Sequence, residues 1–350
     1  MFKARYEKHI LEFKRPSGTS RGVLTKKNTH YIILKEETST QFGIGECSTI
    51  DGLSIDAKDS YEEKLKDVCN NINEYTSEVY KKLIEWPSIC FGIETAIKDL
   101  ENGGRRELFP SSFTKGKEGI YINGLIWMGS FDFMQEQLDE KIKEGFKCIK
   151  IKIGGIDFEE EISLISRLRE KYSTENIELR LDANGAFKYD EALDKLERLS
   201  KYSIHSIEQP IKQGSWDKMA EICKTSPIPV ALDEELIGVN LLAEKEKLVS
   251  VIKPQYLILK PSLLGGFAAT EEWITIANMH KIKWWVTSAL ESNIGLNAIA
   301  QWVKTLNNDL PQGLGTGALY TNNILSPLIV ENSRLWYKNG SWDIGGIIKN

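Results

Sequence analysis

Apolar and polar residues alternate with the two-residue period of a strand through Phe2 to Phe13, Val23 to Lys35 and Gln41 to Cys47, and turn formers such as Pro16-Ser17-Gly18 separate them. That pattern predicts an antiparallel meander. From Ile55 to about Gly104 the period lengthens: Tyr61, Leu65, Val68, Cys69 and Ile72 recur at helical spacing, and Ile89, Ile93, Ala96, Ile97 and Leu100 repeat it before Gly103-Gly104. A meander followed by helices is an α+β unit. After Ile120 the pattern becomes short strand, helix, short strand, with strands predicted at 121–127, 148–154, 178–184, 204–210, 229–235, 256–262, 284–290 and 312–317. The segments between them, such as 158–172, carry an apolar stripe opposite a charged face, as the outer helices of a barrel do. Eight such units predict an α/β chain of the (β/α)8 barrel type rather than an open doubly wound sheet. In the tail, Asn339-Gly340 reads as a hairpin turn that returns the chain to the N-terminal unit.

The 350 residues suffice for two domains, and 41% apolar with 27% charged residues is an ordinary globular composition. A net charge of −5 supplies no basic footprint, so nucleic acid and anionic membranes are not expected partners. No apolar run reaches the roughly 20 residues of a spanning helix, and the first residues lack a signal-peptide pattern, which predicts a cytoplasmic protein. Five widely spaced cysteines without a CxxC read as reduced thiols, most of them in the core.

The candidate chemistry sits at the strand ends. In Cys148-Ile-Lys-Ile-Lys-Ile-Gly154, strand alternation sends the isoleucines to one face and Lys150 and Lys152 together to the other. Alone, this pair reads as the wet face of a half-exposed strand. The later strands repeat the oddity, because Asp182, Glu208, Asp233 and Lys260 each end an apolar run, at intervals of 26, 25 and 27 residues. Burying such charges is costly unless they are paired or bound to metal. If all six face one barrel mouth, three carboxylates from consecutive strands offer hard oxygen ligands of the kind Mg²⁺ prefers, and structural ion pairing is the plain alternative.

Lys150-x-Lys152, Asp182, Glu208, Asp233 and Lys260 at successive strand ends resemble the enolase superfamily, within its muconate lactonizing enzyme subgroup. The resemblance covers nearly the whole chain. It implies a (β/α)7β modified TIM barrel over residues 119–317 and an α+β capping domain over 1–118, completed by the tail 318–350. It also implies Mg²⁺, with Mn²⁺ as a substitute, held by Asp182, Glu208 and Asp233. Three stretches, 260–266, 288–295 and 313–317, resemble the subgroup's dehydratase branch, which removes water from a succinyl-hydroxycyclohexadiene carboxylate in menaquinone biosynthesis. Dipeptide epimerases usually carry Asp-x-Asp at the eighth strand, where this chain has Gly315-Thr316-Gly317. Residues 17–22, with Arg21, resemble the family's mobile capping loop, and 43–47 its second lid loop.

The implied partner is a small carboxylate. In that reading Lys150 holds the substrate carboxylate, Lys152 is the base, and Lys260 acts from the opposite side. Ser262, Ser288, Gly315, Thr316 and Arg21 bind the rest of the substrate, Ser262 taking its succinyl carboxylate, while Asn184 and Gln209 orient the metal ligands. The alternatives are a racemase or epimerase of N-acylated amino acids, or a muconate cycloisomerase, using the same lysines, and a non-catalytic carboxylate-binding barrel. His205 is expected to point outward from its strand, and Trp284 and Trp285 to pack, one of the pair reaching toward the substrate.

Overall fold

A computed structural model describes residues 1–19, 22–338 and 340–348, so Arg21 of the capping loop and Asn339 of the expected turn lie outside the described residues. The predicted meander is a three-stranded antiparallel sheet of β1 (Phe2–Thr19), β2 (Gly22–Glu36) and β3 (Phe42–Ser48). Its register slips between Glu12 and Ser17, around Pro16, which has no amide hydrogen to give the ladder. The centre of β2 is buried on both faces: Ile32 and Leu34 pack under the helices, while Tyr31 and Ile33 pack against Ile324 and Ile347 of the tail. Residues 43–47, expected as a lid, are instead buried strand. Helix Pro87–Glu101 lies so close that a Cβ on Gly43 or Gly45 would collide with the Ala96 or Gly92 carbonyl, which is the reason for both glycines.

The first expected barrel strand divides in two, β4 (Ile120–Tyr121) and β5 (Gly124–Ile126). From β5 the chain lays down a parallel sheet in sequence order: β6 (Cys148–Lys152), β7 (Glu178–Asp182), β8 (Ser206–Glu208), β9 (Val230–Leu232), β10 (Tyr256–Leu259) and β11 (Lys283–Val286). A helix follows each strand, from Phe131–Lys143 to Asn293–Thr305. The eighth strand is reduced to single bridges, with Gln312 paired to Ile122 and Gly313 to Thr287, which close the sheet into a barrel. Beyond Gly313 the glycine-rich chain leaves the wall for the 3-10 turn Thr316–Ala318. A tail hairpin of β12 (Leu328–Glu331) and β13 (Arg334–Tyr337) pairs with β4, and it turns at Asn332-Ser333, both in the left-handed region.

Ile149, Ile151, Leu179, Leu181, Leu257 and Leu259 join the core under the helices, and the opposite set faces the barrel interior. There Ala231, Ile258 and Trp285 fill the floor, and the Arg180 guanidinium stacks 4.0 Å over the Trp285 ring. His205 also turns toward this floor rather than outward, its ring 5.0 Å from that of Tyr256, because it precedes β8 and escapes that strand's alternation. Neither tryptophan reaches the mouth: Trp285 is floor, and Trp284 packs outside, where its indole donates to Asn278. The five cysteines are free and buried, and among the described residues no helix is long and apolar enough to cross a membrane.

The helical part of the N-terminal unit docks on the barrel at Gly265-Gly266, where both residues have left-handed φ and a side chain would strike Tyr80 or Glu94. Glu94 accepts the Phe267 amide at 2.5 Å, capping helix Gly266–Met279 from another part of the chain. Burial lifts its carboxyl from 4.5 to about 7, outweighing the Phe267 and Ala268 amides that favour the ion. The folded state therefore holds this proton more tightly than the unfolded chain, and the stability it contributes is present below pH 4.5 and lost as pH rises through 7. Glu94→Gln keeps an acceptor for the amide without the titration. Its unfolding free energy should lose up to about 3 kcal/mol of pH dependence across that window, measured by urea denaturation at a series of pH values.

Candidate active site

Five consecutive barrel strands, β6 to β10, present a charged residue at the last position or one beyond, and β6 carries a second, Lys150, two positions earlier. Lys150 and Lys152 lie on β6, Asp182 and Glu208 end β7 and β8, and Asp233 and Lys260 follow β9 and β10 directly. Parallel register places Lys152 beside Asp182 and Asp182 beside Glu208. Lys150 Nζ stands 2.8 Å from Glu208 Oε2 and 3.4 Å from Asp182 Oδ2, Lys152 Nζ 3.0 Å from Asp182 Oδ2, and Lys260 pairs with Asp233. Three lysine side chains thus pair with three acidic side chains away from water.

The field of this cluster governs its protonation. Burial alone would raise the Asp182 carboxyl, but Lys152, Lys150 and Lys260 outweigh it and hold the group well below the usual carboxylate range. Burial likewise works against the Lys150 and Lys260 ammonium groups. Glu208 and Asp182 reverse that for Lys150, and Asp233, Glu208 and Glu234 reverse it for Lys260, so both are held above the ordinary lysine value.

The supporting residues lie just past the strands. Asn184 and Gln209 both have left-handed φ, which turns the chain back under the strand ends. Asn184 accepts from Lys152 Nζ at 2.7 Å, its amide donates to Glu234, and its backbone N–H donates to Asp182 Oδ1 at 3.0 Å. Gln209 touches none of the three ligand carboxylates. It accepts from the backbone N–H groups of Asp233 and Glu235 and donates to the Glu235 side chain, bracing the turn that follows β9.

A cavity of about 830 Å³ opens over this cluster at the C-terminal mouth. Of the residues singled out by sequence, Lys150, Lys152, Asp182, Asn184, Lys260, Ser288, Gly315 and Thr316 line it. Ser288 and Thr316 share a hydrogen bond of 2.7 Å. Ser262 is elsewhere, buried and donating to Glu291, because Pro261–Leu264 is already a helical turn and the alternation of β10 has ended. Sequence reasoning missed Trp127, whose ring lies 5.6 Å from Lys152 Nζ, and the roof formed by Leu24, Ile50, Asp51 and Leu53. Trp127 follows β5 directly and was open to the argument that found the charged strand ends. The roof residues carry no comparable signal.

Among the described residues, no three acidic or imidazole side chains converge into a ready-made cation cage, since the lysine ammonium groups stand against the carboxylates. The donor set nonetheless fits a hard divalent cation: three buried carboxylates at consecutive strand ends, with Glu208 Oε1 buried and without a hydrogen-bond partner.

Residues 133–340 match the family model described as enolase C-terminal domain-like. The chain is 44% identical over 361 aligned positions to the o-succinylbenzoate synthase of Desulfotalea psychrophila, covering 94% of this chain and 97% of that protein. It superposes on the solved structure of MenC from the same organism with a TM-score of 0.84 at 41% identity, covering 96% of this chain and 99% of the other. A dipeptide epimerase from Enterococcus faecalis, solved with Mg and the dipeptide L-Leu-L-Tyr, matches with a TM-score of 0.82 over 98% of both chains, at 17% identity, which is a likeness of fold. A barrel with this ring of lysines and carboxylates, joined to that near full-length likeness, places the chain in the enolase superfamily and, within it, in the o-succinylbenzoate synthase family.

Proposed function

We propose that the protein catalyses the o-succinylbenzoate synthase reaction, the syn dehydration of 2-succinyl-6-hydroxy-2,4-cyclohexadiene-1-carboxylate to 2-succinylbenzoate, as a Mg²⁺-dependent cytoplasmic enzyme of menaquinone biosynthesis. The observation that carries this reading is 44% identity along 94% of the chain to a protein of that name. The site geometry supports it, since Lys152 and Lys260 reach one cavity from strands that three others separate.

Hydrogens α to a carboxylate are only weakly acidic because their removal crowds negative charge onto its oxygens, so the site must supply positive charge in advance. Asp182, Glu208 and Asp233 would hold Mg²⁺, which supplies part of that charge when bound. Lys150 places its ammonium at the substrate carboxylate. Neutral Lys152 takes the α-proton, and the freed electron pair moves into the carboxylate. As the ring becomes aromatic, the pair returns and the C–O bond to the hydroxyl breaks. The ammonium of Lys152 gives its proton to the departing oxygen, so water leaves and the lysine ends neutral, as it began. Lys260 stays charged throughout, consistent with the raised affinity of its nitrogen for a proton beside Asp233. Ser288, Gly315 and Thr316 face the rest of the substrate, and no carboxylate at 315–317 opposes an anionic ligand.

A second reading has one observation in its favour. Two lysines facing a cavity from opposite sides also suit two-sided proton transfer, and an N-succinylamino acid racemase from Amycolatopsis is 25% identical over 69% of this chain.

Exhaustive chelation should abolish turnover, and adding back Mg²⁺ to the chelated protein should raise its melting temperature, which a scanning-fluorimetry titration reads without substrate. Asp233→Asn takes a charge from the ligand set with little change of volume. It should leave the fold intact while cutting kcat by roughly 100-fold or more and flattening the Mg²⁺-dependent melting shift. Lys260 separates the two readings. Arginine keeps the charge but does not deprotonate, so a dehydratase should retain appreciable activity in Lys260→Arg and lose far more in Lys260→Ala. Rapid inversion of chiral N-acylated amino acids with deuterium uptake from D₂O, without dehydration of the cyclohexadiene, would reject the first reading for the second.

A further inference from the structure

Beneath the roof of the cavity lies a second buried charge cluster that the chemistry above does not use. Lys27 on β2 is 5% exposed and donates to the Leu290 carbonyl at 2.9 Å and to Ser48 Oγ of β3. Glu46 on β3 crosses to the barrel, accepting from Ser292 N at 2.8 Å, Ser292 Oγ at 2.6 Å and Gly295 N at 2.9 Å, at the start of helix Asn293–Thr305. Those three donors satisfy it. Glu291 is buried as well, accepting from the Ser262 hydroxyl, from the Ala289 amide at 2.7 Å and from its own backbone N–H. Burial raises its carboxyl above the ordinary value, and the nearby Lys27 ammonium works against that rise.

The position of this cluster gives it a use. Leu290 has left-handed φ, a strained state for a leucine, and with Ser288 and Ala289 it forms one wall of the cavity. Lys27 holds the carbonyl of that residue together with the Tyr320 hydroxyl, and Glu291 holds the amide of Ala289. The strand that carries Lys27 also carries Gly22 to Leu24 over the cavity, three residues earlier. We propose that Lys27 is a positioning residue that, balanced by Glu291, locks the roof strand to the Ser288–Leu290 wall and so shapes the binding end of the cavity. Ser262 belongs to the same device through its bond to Glu291 and acts at one remove from the ligand. The effect on substrate rests on the dehydratase reading, whereas the lock itself does not.

The test is a charge-balanced pair of variants. Lys27→Met keeps the length and apolar stem but leaves Glu291 without its cation, and adding Glu291→Gln removes that imbalance while keeping an acceptor for Ala289. In the folded single variant, amide exchange at Ser288 and Ala289 should quicken at least about tenfold, and KM should rise about tenfold with kcat within about threefold, because the lysines of the barrel mouth stand on other strands. The double variant should regain the stability that an unbalanced Glu291 costs but keep the faster exchange and the raised KM, because the bond to the Leu290 carbonyl is still missing. A single variant indistinguishable from wild type, or a double variant that returns both readouts to the wild-type values, would overturn the proposal. If Lys27→Met does not fold, recovery of the fold in the double variant supports the balance and its absence rejects it. An inactive wild type counts against the proposed function alone, since the exchange arm needs no substrate.

Discussion

Six ionisable side chains removed from water at the end of a barrel set the terms for everything around them. An ammonium or carboxylate buried alone costs several kcal/mol, and the cost is offset only when a partner of opposite sign lies within contact distance. In this chain the partners come from the next strand or, for Lys150 and Glu208, the next but one, so the register of the sheet is also the register of the charges. Lys152 stands beside Asp182 and Asp182 beside Glu208, in the same layer. A slip of one residue would turn each side chain into the apolar layer under the helices and expose leucines to the mouth. The apolar outward set, with Ile151, Leu181 and Leu257 among it, therefore does more than bury area: it fixes which way the charges face.

The N-terminal unit meets the barrel by the same means. A helix start leaves backbone N–H groups without partners and a partial positive charge. Glu94 answers that need at helix Gly266–Met279, and Glu46 at helix Asn293–Thr305. Both acids come from elements packed on the N-terminal sheet, and both caps stand just past strands that bound the cavity. The roof is thus seated by charge at defined points rather than by apolar area alone.

Much of this was legible in the sequence where a single physical rule applies without interruption. Alternation within β6 and β7 placed Lys150, Lys152 and Asp182, and the repeat of charged strand ends placed the others. The same rule failed where the element stops. Ser262 was read as continuing β10, but Pro261 starts a helical turn and the side chain swings to Glu291. His205 was read as part of β8, which begins only at Ser206. Residues 43–47 carried two readings, a strand from their alternation and a lid loop from the family resemblance, and the strand holds because their glycines serve close packing against a helix rather than motion. Long-range partners left no trace: the pairing of Lys27 with Leu290 has no sequence pattern, and of the roof only the capping loop at 17–22, whose Ser17 and Gly22 line the cavity, was marked by resemblance.

The eighth segment shows how such glycines can be told apart once contacts are known. Gly313 is demanded by packing, because a Cβ there would press on the side chain of Thr287 against which the chain closes the barrel. Gly317 is crowded in the same way by Asn293. Gly315 is different: its φ of −89° suits any residue, and a Cβ would find nothing nearer than 3.7 Å. The fold therefore does not require glycine at 315, yet the position lines the cavity. What its bareness preserves is room at the ligand, beside Ser288 and Thr316, whose hydroxyls can donate to an anion. A carboxylate at this place would set negative charge against a dicarboxylate substrate, and its absence is the electrostatic counterpart of the lysines across the mouth.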